Sequence, residues 1–124
     1  MDAVSRAEAL KERTRVFALQ VITLSQGLPR SDECRVIGRQ ALRAATSVAA
    51  NYRAVCRARS RAEFVAKMGL VVEEADEAVF WLTLLIDAKL TTLKTDRLLS
   101  EAKELLAIFA ASYRTARANR REPQ

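Results

Sequence analysis

Three polar residues of the kinds that bind or polarise other groups, Arg43, Ser47 and Asn51, follow one another at intervals of four residues. This spacing places them on one face of a single helix. Two carboxylates further along the chain, Glu74 and Glu77, lie within a second helical pattern. If the two helices pack antiparallel, the first set of side chains faces the carboxylates. The sequence therefore predicts a structural polar cluster made of these five residues.

The acidic part of this second helix also raises the question of a metal site. Its four carboxylates, within five residues, are Glu73, Glu74, Asp76 and Glu77. Helical bundles that bind two iron ions do use inward carboxylates, but they also use histidine, and this chain contains none. We therefore predict that the carboxylates face cations on another helix or on another subunit, and Arg39 and Arg43 are the candidates. No metal and no other cofactor is expected.

The chain lacks the residue combinations that common enzymes use for catalysis. Without histidine the chain has no Ser-His or Cys-His pair, it has no glycine-rich phosphate loop, and Ser47 has no general base on its own helix. Cys34 and Cys56 have no CxxC partner, and on one helix they lie about 33 Å apart, too far for a disulfide. We expect two reduced cysteines in a protein that is not an enzyme.

The elements that position these residues are helices. The chain of 124 residues is long enough for one domain, 1–124, and its three glycines and two prolines leave little material for turns. Apolar residues at three- and four-residue intervals predict helices at about 5–25, 31–57, 61–89 and 96–117, followed by a basic tail at 118–124. Short connections deliver antiparallel neighbours, so the predicted fold is an all-α, antiparallel up-down-up-down four-helix bundle.

The helix ends are predicted from capping residues. Gly27 in a left-handed conformation ends the first helix. Either Ser31 or Asp32 caps the second helix, and residues 60–63 have the spacing of a capping box at the start of the third. Thr95, together with the aspartate that follows it, is predicted to cap the fourth helix.

The net charge of +6, from 21 basic and 15 acidic residues, favours a polyanionic partner. In the predicted topology the start of the first helix, the link between the second and third, and the end of the fourth share one end of the bundle. Arginine can bind a phosphate through two hydrogen bonds, so this end is predicted to bind nucleic acid. The candidate residues are Arg53, Arg57, Arg59, Arg61, Lys67, Arg114, Arg117, Arg120 and Arg121. A simpler interpretation also stays open, in which these arginines are a solvated helix end.

Residues between positions 39 and 86 carry a resemblance to a known family. They are the run from Gln40 to Tyr52, then Ser60, Glu63-Phe64, Glu74-Ala75, Glu77 and Trp81-Leu82. They resemble the four-helix-bundle family encoded in intervening sequences of bacterial 23S rRNA genes, which includes the accessory variability protein of diversity-generating retroelements. The resemblance implies a homopentameric barrel of such bundles, with a basic surface that binds RNA or DNA through phosphates. It also implies a role that assists a reverse transcriptase or another nucleic-acid enzyme.

The alternative function is a structural or scaffolding oligomer that binds a protein partner without nucleic acid. Trp81 falls one position off the apolar stripe of its helix, which suits a groove-filling residue, an anchor between subunits or a ring on which nucleic-acid bases stack. No apolar run approaches the roughly 18 residues that a membrane-spanning helix needs, and the first residues lack the apolar core of a signal peptide. We therefore expect a cytoplasmic protein that does not bind a membrane.

Overall fold

Four helices make up the part of the chain that the structure describes. The computed structural model describes residues 2–91 and 94–120, apart from the side chain of Arg120. The helices are α1, Ala3–Gly27; α2, Asp32–Cys56; α3, Arg61–Asp87; and α4, Lys94–Arg120. Within these residues there is no strand, and each helix boundary lies within three residues of its predicted position. The all-α prediction is confirmed.

The predicted basic tail is shorter than expected. Residues 118–120 belong to α4 instead of following it, so the helix continues through three more residues than the sequence pattern suggested. Residues 121–124 lie outside the described residues.

The helices are connected in the order up, down, up, down around a square. α2 packs against α1 and α3, α4 packs against α3, and a sparser contact between α1 and α4 closes the ring. Across the diagonals, no Cα atoms of α1 and α3 or of α2 and α4 come within 8 Å of each other. This arrangement confirms the antiparallel four-helix bundle that the short connections predict.

The core runs along the axis of the bundle. Its largest fully buried apolar side chains are Phe17 and Val21 of α1, Leu82 and Leu85 of α3, and Leu105 and Phe109 of α4. Burying each such side chain contributes about 1.5–3 kcal/mol to folding. On α2 three of the eight buried residues are alanines, which let the neighbouring helices approach closely; these are Ala41, Ala44 and Ala45.

Side-chain caps begin the first three helices. The carboxylate of Asp2 accepts a hydrogen bond from the backbone N–H of Ser5 at 2.8 Å, and the Ser31 hydroxyl accepts one from the backbone N–H of Cys34 at 3.2 Å. Ser31, not Asp32, is therefore the cap of α2. Ser60 caps α3 in the same way, as the spacing of residues 60–63 predicted.

Two predicted caps differ in the structure. Gly27 does not adopt the left-handed conformation; α1 ends instead because Leu28 is extended, as expected for the residue before Pro29. Thr95 is the second residue of α4 and lies inside its first turn, so it does not precede the helix as a cap.

The end of α3 has a left-handed residue that the sequence does not predict. Lys89 is the one non-glycine residue with a positive φ, 59°, in the described part of the chain. The N–H of Leu90, just after it, donates to the carbonyl of Leu85 at 3.0 Å, as in a Schellman motif. A lysine thus occupies the left-handed position that glycine usually takes.

Candidate nucleic-acid interface

Three contacts show that the predicted basic residues share one end of the bundle. At the start of α3, the Arg61 guanidinium donates to the backbone carbonyl of Asn119 near the end of α4, at 3.4 Å. About two turns further along the same two helices, Gly69 packs against the Tyr113 ring, which lies 3.3 Å from the position that a Cβ would take. Near the end of α2, Arg53 lines a groove with residues of the first turns of α1. The start of α1, the α2–α3 link and the end of α4 therefore meet.

Around the α2–α3 link the cations surround a shallow depression of about 440 Å³. Arg57, Arg59 and Lys67 line it together with one acid, Glu63. The Glu63 carboxylate accepts a hydrogen bond from the backbone N–H of Arg59 at 3.1 Å and lies 4.0 Å from the ammonium of Lys67. Glu63 thus offsets part of the positive charge of Lys67, whereas no described carboxylate forms an ion pair with the guanidinium groups of Arg57 and Arg59.

The remaining candidates divide into three groups. Arg53 is exposed but lies in the groove between α1 and α2 beside Glu8 and Glu12, away from the depression. Arg114 is exposed, and the guanidinium of Arg117 lies 5.3 Å from the centre of the Tyr113 ring, a distance suited to a cation–π contact. Finally, the side chain of Arg120 and the whole of Arg121 lie outside the described residues.

The structure also brings together three members of the predicted polar cluster. The Arg43 guanidinium bridges from α2 to α3, with Nη1 3.0 Å from Glu74 Oε2 and Nη2 2.5 Å from Glu77 Oε1. Its Nε donates to the side-chain carbonyl of Gln40 at 3.2 Å. The Arg43 side chain is 44% exposed and that of Glu77 45% exposed. The cluster therefore lies at the surface of the α2–α3 seam, where its electrostatic contribution is screened by water.

The other predicted members do not join this cluster. Ser47 and Asn51 are half-buried on α2, and neither forms a hydrogen bond with Arg43 or the glutamates in the described part of the chain. Arg39, the alternative partner of the carboxylates, is exposed and makes no ion pair with them. The four-residue spacing correctly places Ser47 and Asn51 on the same helix as Arg43. Of these three side chains, only the long one of Arg43 reaches Glu74 and Glu77 on α3.

One ion pair was missed by the sequence reasoning. On the α1–α4 side, Arg13 donates from Nε and Nη2 to both carboxylate oxygens of Glu101, at 2.7 and 2.6 Å. Glu104 lies 3.5 Å from the same guanidinium. The hydrogen bonds that Arg13 donates to Glu101 raise the pKa of Arg13 above its ordinary value. The signal that could have revealed the pair is weak: opposite charges at the edges of the apolar stripes of the first and last helices.

The residues that could support catalysis or bind a metal are dispersed. Among the residues that the structure describes, no three histidine, cysteine, aspartate or glutamate side chains form a group that could hold a metal ion. Cys34 is buried and Cys56 is exposed, and they are not bonded to each other. Burial, followed by the neighbouring thiol of Cys56, raises the pKa of the Tyr52 phenol above its ordinary value. None of the described helices is long and apolar enough to cross a membrane.

Comparison with known proteins identifies the family. A family model described as 23S rRNA-intervening sequence protein matches residues 8–111, which is most of the chain. The chain belongs to this family. The matched segment begins in the second turn of α1, contains all of α2 and α3, and ends before the last turns of α4. It includes the α2–α3 link and the Arg43 cluster, but it ends before Arg114 and Arg117.

A solved structure gives the same result for the fold. The chain is similar to a protein of unknown function from the S23 ribosomal protein family of Bacteroides thetaiotaomicron, whose crystal structure was determined at 1.70 Å. The two share 29% sequence identity with a TM-score of 0.76, over 83% of this chain and 96% of the other. A search of curated proteins found no match to this family member.

Proposed function

We propose that this protein is a non-enzymatic module that binds RNA or DNA through phosphates. The binding surface, which we call the basic end, consists of Arg57, Arg59, Arg61, Arg114 and Arg117. The proposal is supported by the convergence of arginines from the α2–α3 link and from the end of α4, shown by the Arg61–Asn119 contact. Arg57, Arg59, Arg114 and Arg117 have no ion pair among the described residues, so their guanidinium groups are available to a polyanion.

The shape of the basic end favours binding without strong sequence preference. The depression beside the link is shallow and is lined by arginine, lysine and glutamate side chains, not by a slot that would accept a base. The Tyr113 ring is half-buried and lies beside Arg117, and the Phe64 ring, in the first turn of α3, is also half-buried. Contacts to phosphates set affinity and orientation, whereas contacts to base edges set sequence. We therefore expect the basic end to bind RNA or DNA of many sequences, including single strands.

We further propose that the bundle acts as a homo-oligomer, specifically a homopentamer. α3 exposes two large apolar side chains, Leu70 and Phe80, and α2 exposes Val36. Such residues are common at contacts between subunits. A ring of subunits would repeat the basic end once per subunit and strengthen the positive electrostatic potential at the opening of the ring. In that form the protein would assist a reverse transcriptase or another enzyme that acts on nucleic acid.

A scaffolding oligomer that binds a protein partner, without nucleic acid, is the second candidate. Its support is the same exposed apolar surface, in which Phe80 is 55% exposed and contacts the ring of Trp81 edge-on at 4.9 Å. The two functions differ in their response to salt. Binding through phosphates weakens steeply as salt rises, whereas an apolar contact changes little.

Charge reversal at the basic end tests the proposal. In the triple variant Arg57→Glu/Arg59→Glu/Arg61→Glu, binding to a fluorescent single-stranded RNA should weaken by about 100-fold or more at low salt, because three phosphate contacts become repulsive. The matched control reverses three exposed cations elsewhere: Arg30→Glu, Arg39→Glu and Lys103→Glu. It changes the net charge equally and should alter affinity only a few-fold.

Equal losses in the two triple variants would mean that only net charge matters. Unchanged affinity in the first variant would show that the basic end is not the binding surface. Circular dichroism of both variants must first show wild-type helicity, so that any loss is assigned to the surface and not to unfolding.

A further inference from the structure

The seam between α1 and α4 opens into a groove at the end of the bundle opposite to the basic end. α1 and α4 make the sparsest contact of the four neighbouring pairs. The Arg13–Glu101 ion pair joins the middle of α1 to the second turn of α4. Beyond that pair, the second half of α1 and the first turns of α4 line a groove of about 1050 Å³. From Arg13 to Gly27 the groove follows α1 for about 21 Å, at about 1.5 Å per residue.

The floor of the groove is apolar. It is formed by Val16, Leu24 and Leu28 on the α1 side and by Leu90 and Leu98 on the α4 side. Its volume is at the upper end of the range for small-molecule sites, about 300–1,000 Å³, and such sites are mostly apolar with a few polar groups. The groove is thus suited to a long, narrow apolar group.

The polar groups of the groove converge at its α4 end. Lys89, Lys94 and Arg97 line it there, and none of these three forms an ion pair with another described residue. The first turn of α4 adds the positive end of the helix dipole. Charge at this end therefore favours an anion.

A buried hydroxyl provides an independent indication of a ligand. Among the described residues two threonines are fully buried: Thr14, whose hydroxyl donates to the carbonyl of Leu10 or Lys11 at 3.0 Å, and Thr95. Thr95 is one of the residues that line the groove, and its buried hydroxyl has no hydrogen-bond partner among the described residues. Buried polar groups without a partner are rare because they are costly. A carboxylate at the α4 end of the groove would supply the missing acceptor.

We propose that this groove binds a long-chain aliphatic carboxylate. The alkyl chain lies on the apolar floor between α1 and α4. The carboxylate lies beside Thr95, where it accepts the hydroxyl hydrogen bond and faces Lys94 and Arg97. This site is separate from the basic end and does not depend on nucleic-acid binding.

The test is calorimetric titration of the full chain with dodecanoate, below the concentration at which it forms micelles. Decanoate should bind more weakly and tetradecanoate more tightly, by up to about fourfold per buried methylene group. Dodecyltrimethylammonium has the same tail and the opposite charge, and it should bind at least tenfold more weakly than dodecanoate. Equal binding of the two would show that the cations play no part and would overturn the proposal.

Variants locate the site on the molecule. Val16→Glu places a charge on the groove floor and should abolish binding, whereas its matched control, Leu19→Glu, changes a similarly exposed α1 residue outside the groove. Lys94→Glu/Arg97→Glu should weaken dodecanoate binding at least tenfold and Lys103→Glu should not. Thr95→Val should weaken binding several-fold while retaining the fold.

Absence of dodecanoate binding, or binding that Val16→Glu leaves unchanged, would reject the assignment. If Val16→Glu leaves the dodecanoate affinity unchanged but changes the subunit number measured by light scattering, the groove is an interface between copies of this chain.

Discussion

The Arg13–Glu101 pair joins α1 to α4 through two hydrogen bonds, and its removal should lower the free energy of unfolding measurably. Two charge-assisted hydrogen bonds, at 2.7 and 2.6 Å, join the side chains, which are 34% and 24% exposed. Exposed pairs contribute about 0.2–1 kcal/mol, and hydrogen bonds to charged groups contribute more when water is partly excluded. We therefore expect a coupling energy of about 1 kcal/mol, which for a chain of this length corresponds to about 4 °C in Tm.

A double-mutant cycle isolates this coupling. Arg13→Ala, Glu101→Ala and the double variant are unfolded with urea, and the free energies of unfolding are compared. The Arg43–Glu77 pair serves as the matched control, because it joins α2 to α3 but is 44% and 45% exposed. Its coupling should be smaller, about 0.5 kcal/mol or less. A coupling for Arg13–Glu101 within error of zero, or no larger than that of the control pair, would refute the claim that burial of the α1–α4 pair strengthens it.

Two further predictions concern the backbone and an ionisable core residue. Lys89→Gly should raise the free energy of unfolding in urea by about 1 kcal/mol, because a left-handed conformation is strained for lysine and not for glycine. The control Lys103→Gly, within α4, should lower the free energy of unfolding by a similar amount. A destabilising Lys89→Gly would contradict the assigned strain. Stability should fall as pH rises above the ordinary Tyr52 pKa of 10.0, since the pKa is raised in the folded state and the unfolded state loses the proton first. In a comparison of thermal unfolding at pH 7 and above pH 10, Tyr52→Phe should remove most of this alkaline loss; an identical loss in the variant would show that other groups cause it.

The sequence predicts the fold well because the relevant signals are local. Apolar residues at helical spacing locate all four helices, and capping residues such as Ser60 fix where they begin. Short connections then leave only the antiparallel arrangement. The Arg43 contact with Glu74 and Glu77 is also accessible from sequence, because adjacent antiparallel helices bring these positions together.

The features that the sequence does not predict depend on tertiary contact. Arg13 and Glu101 lie 88 positions apart, and only closure of the ring brings α1 beside α4. Gly27 has the residue type of a left-handed cap, yet the proline two residues later sets the chain direction, and Lys89 takes the left-handed conformation instead. The groove that Thr95 lines lies between residues of α1 and the first turns of α4, and the residue pattern of either helix alone does not show it.

The measurement that tests the central claim most directly is the affinity of the wild-type protein for a fluorescent single-stranded RNA as a function of salt. The five arginines of the basic end predict a slope of log K against log salt near −3.5, at about 0.7 per phosphate contact on a single strand. Between 50 and 200 mM salt the affinity should therefore fall by about 100-fold. No binding at 50 mM salt, or binding whose affinity is the same at both concentrations, would contradict nucleic-acid binding through the basic end.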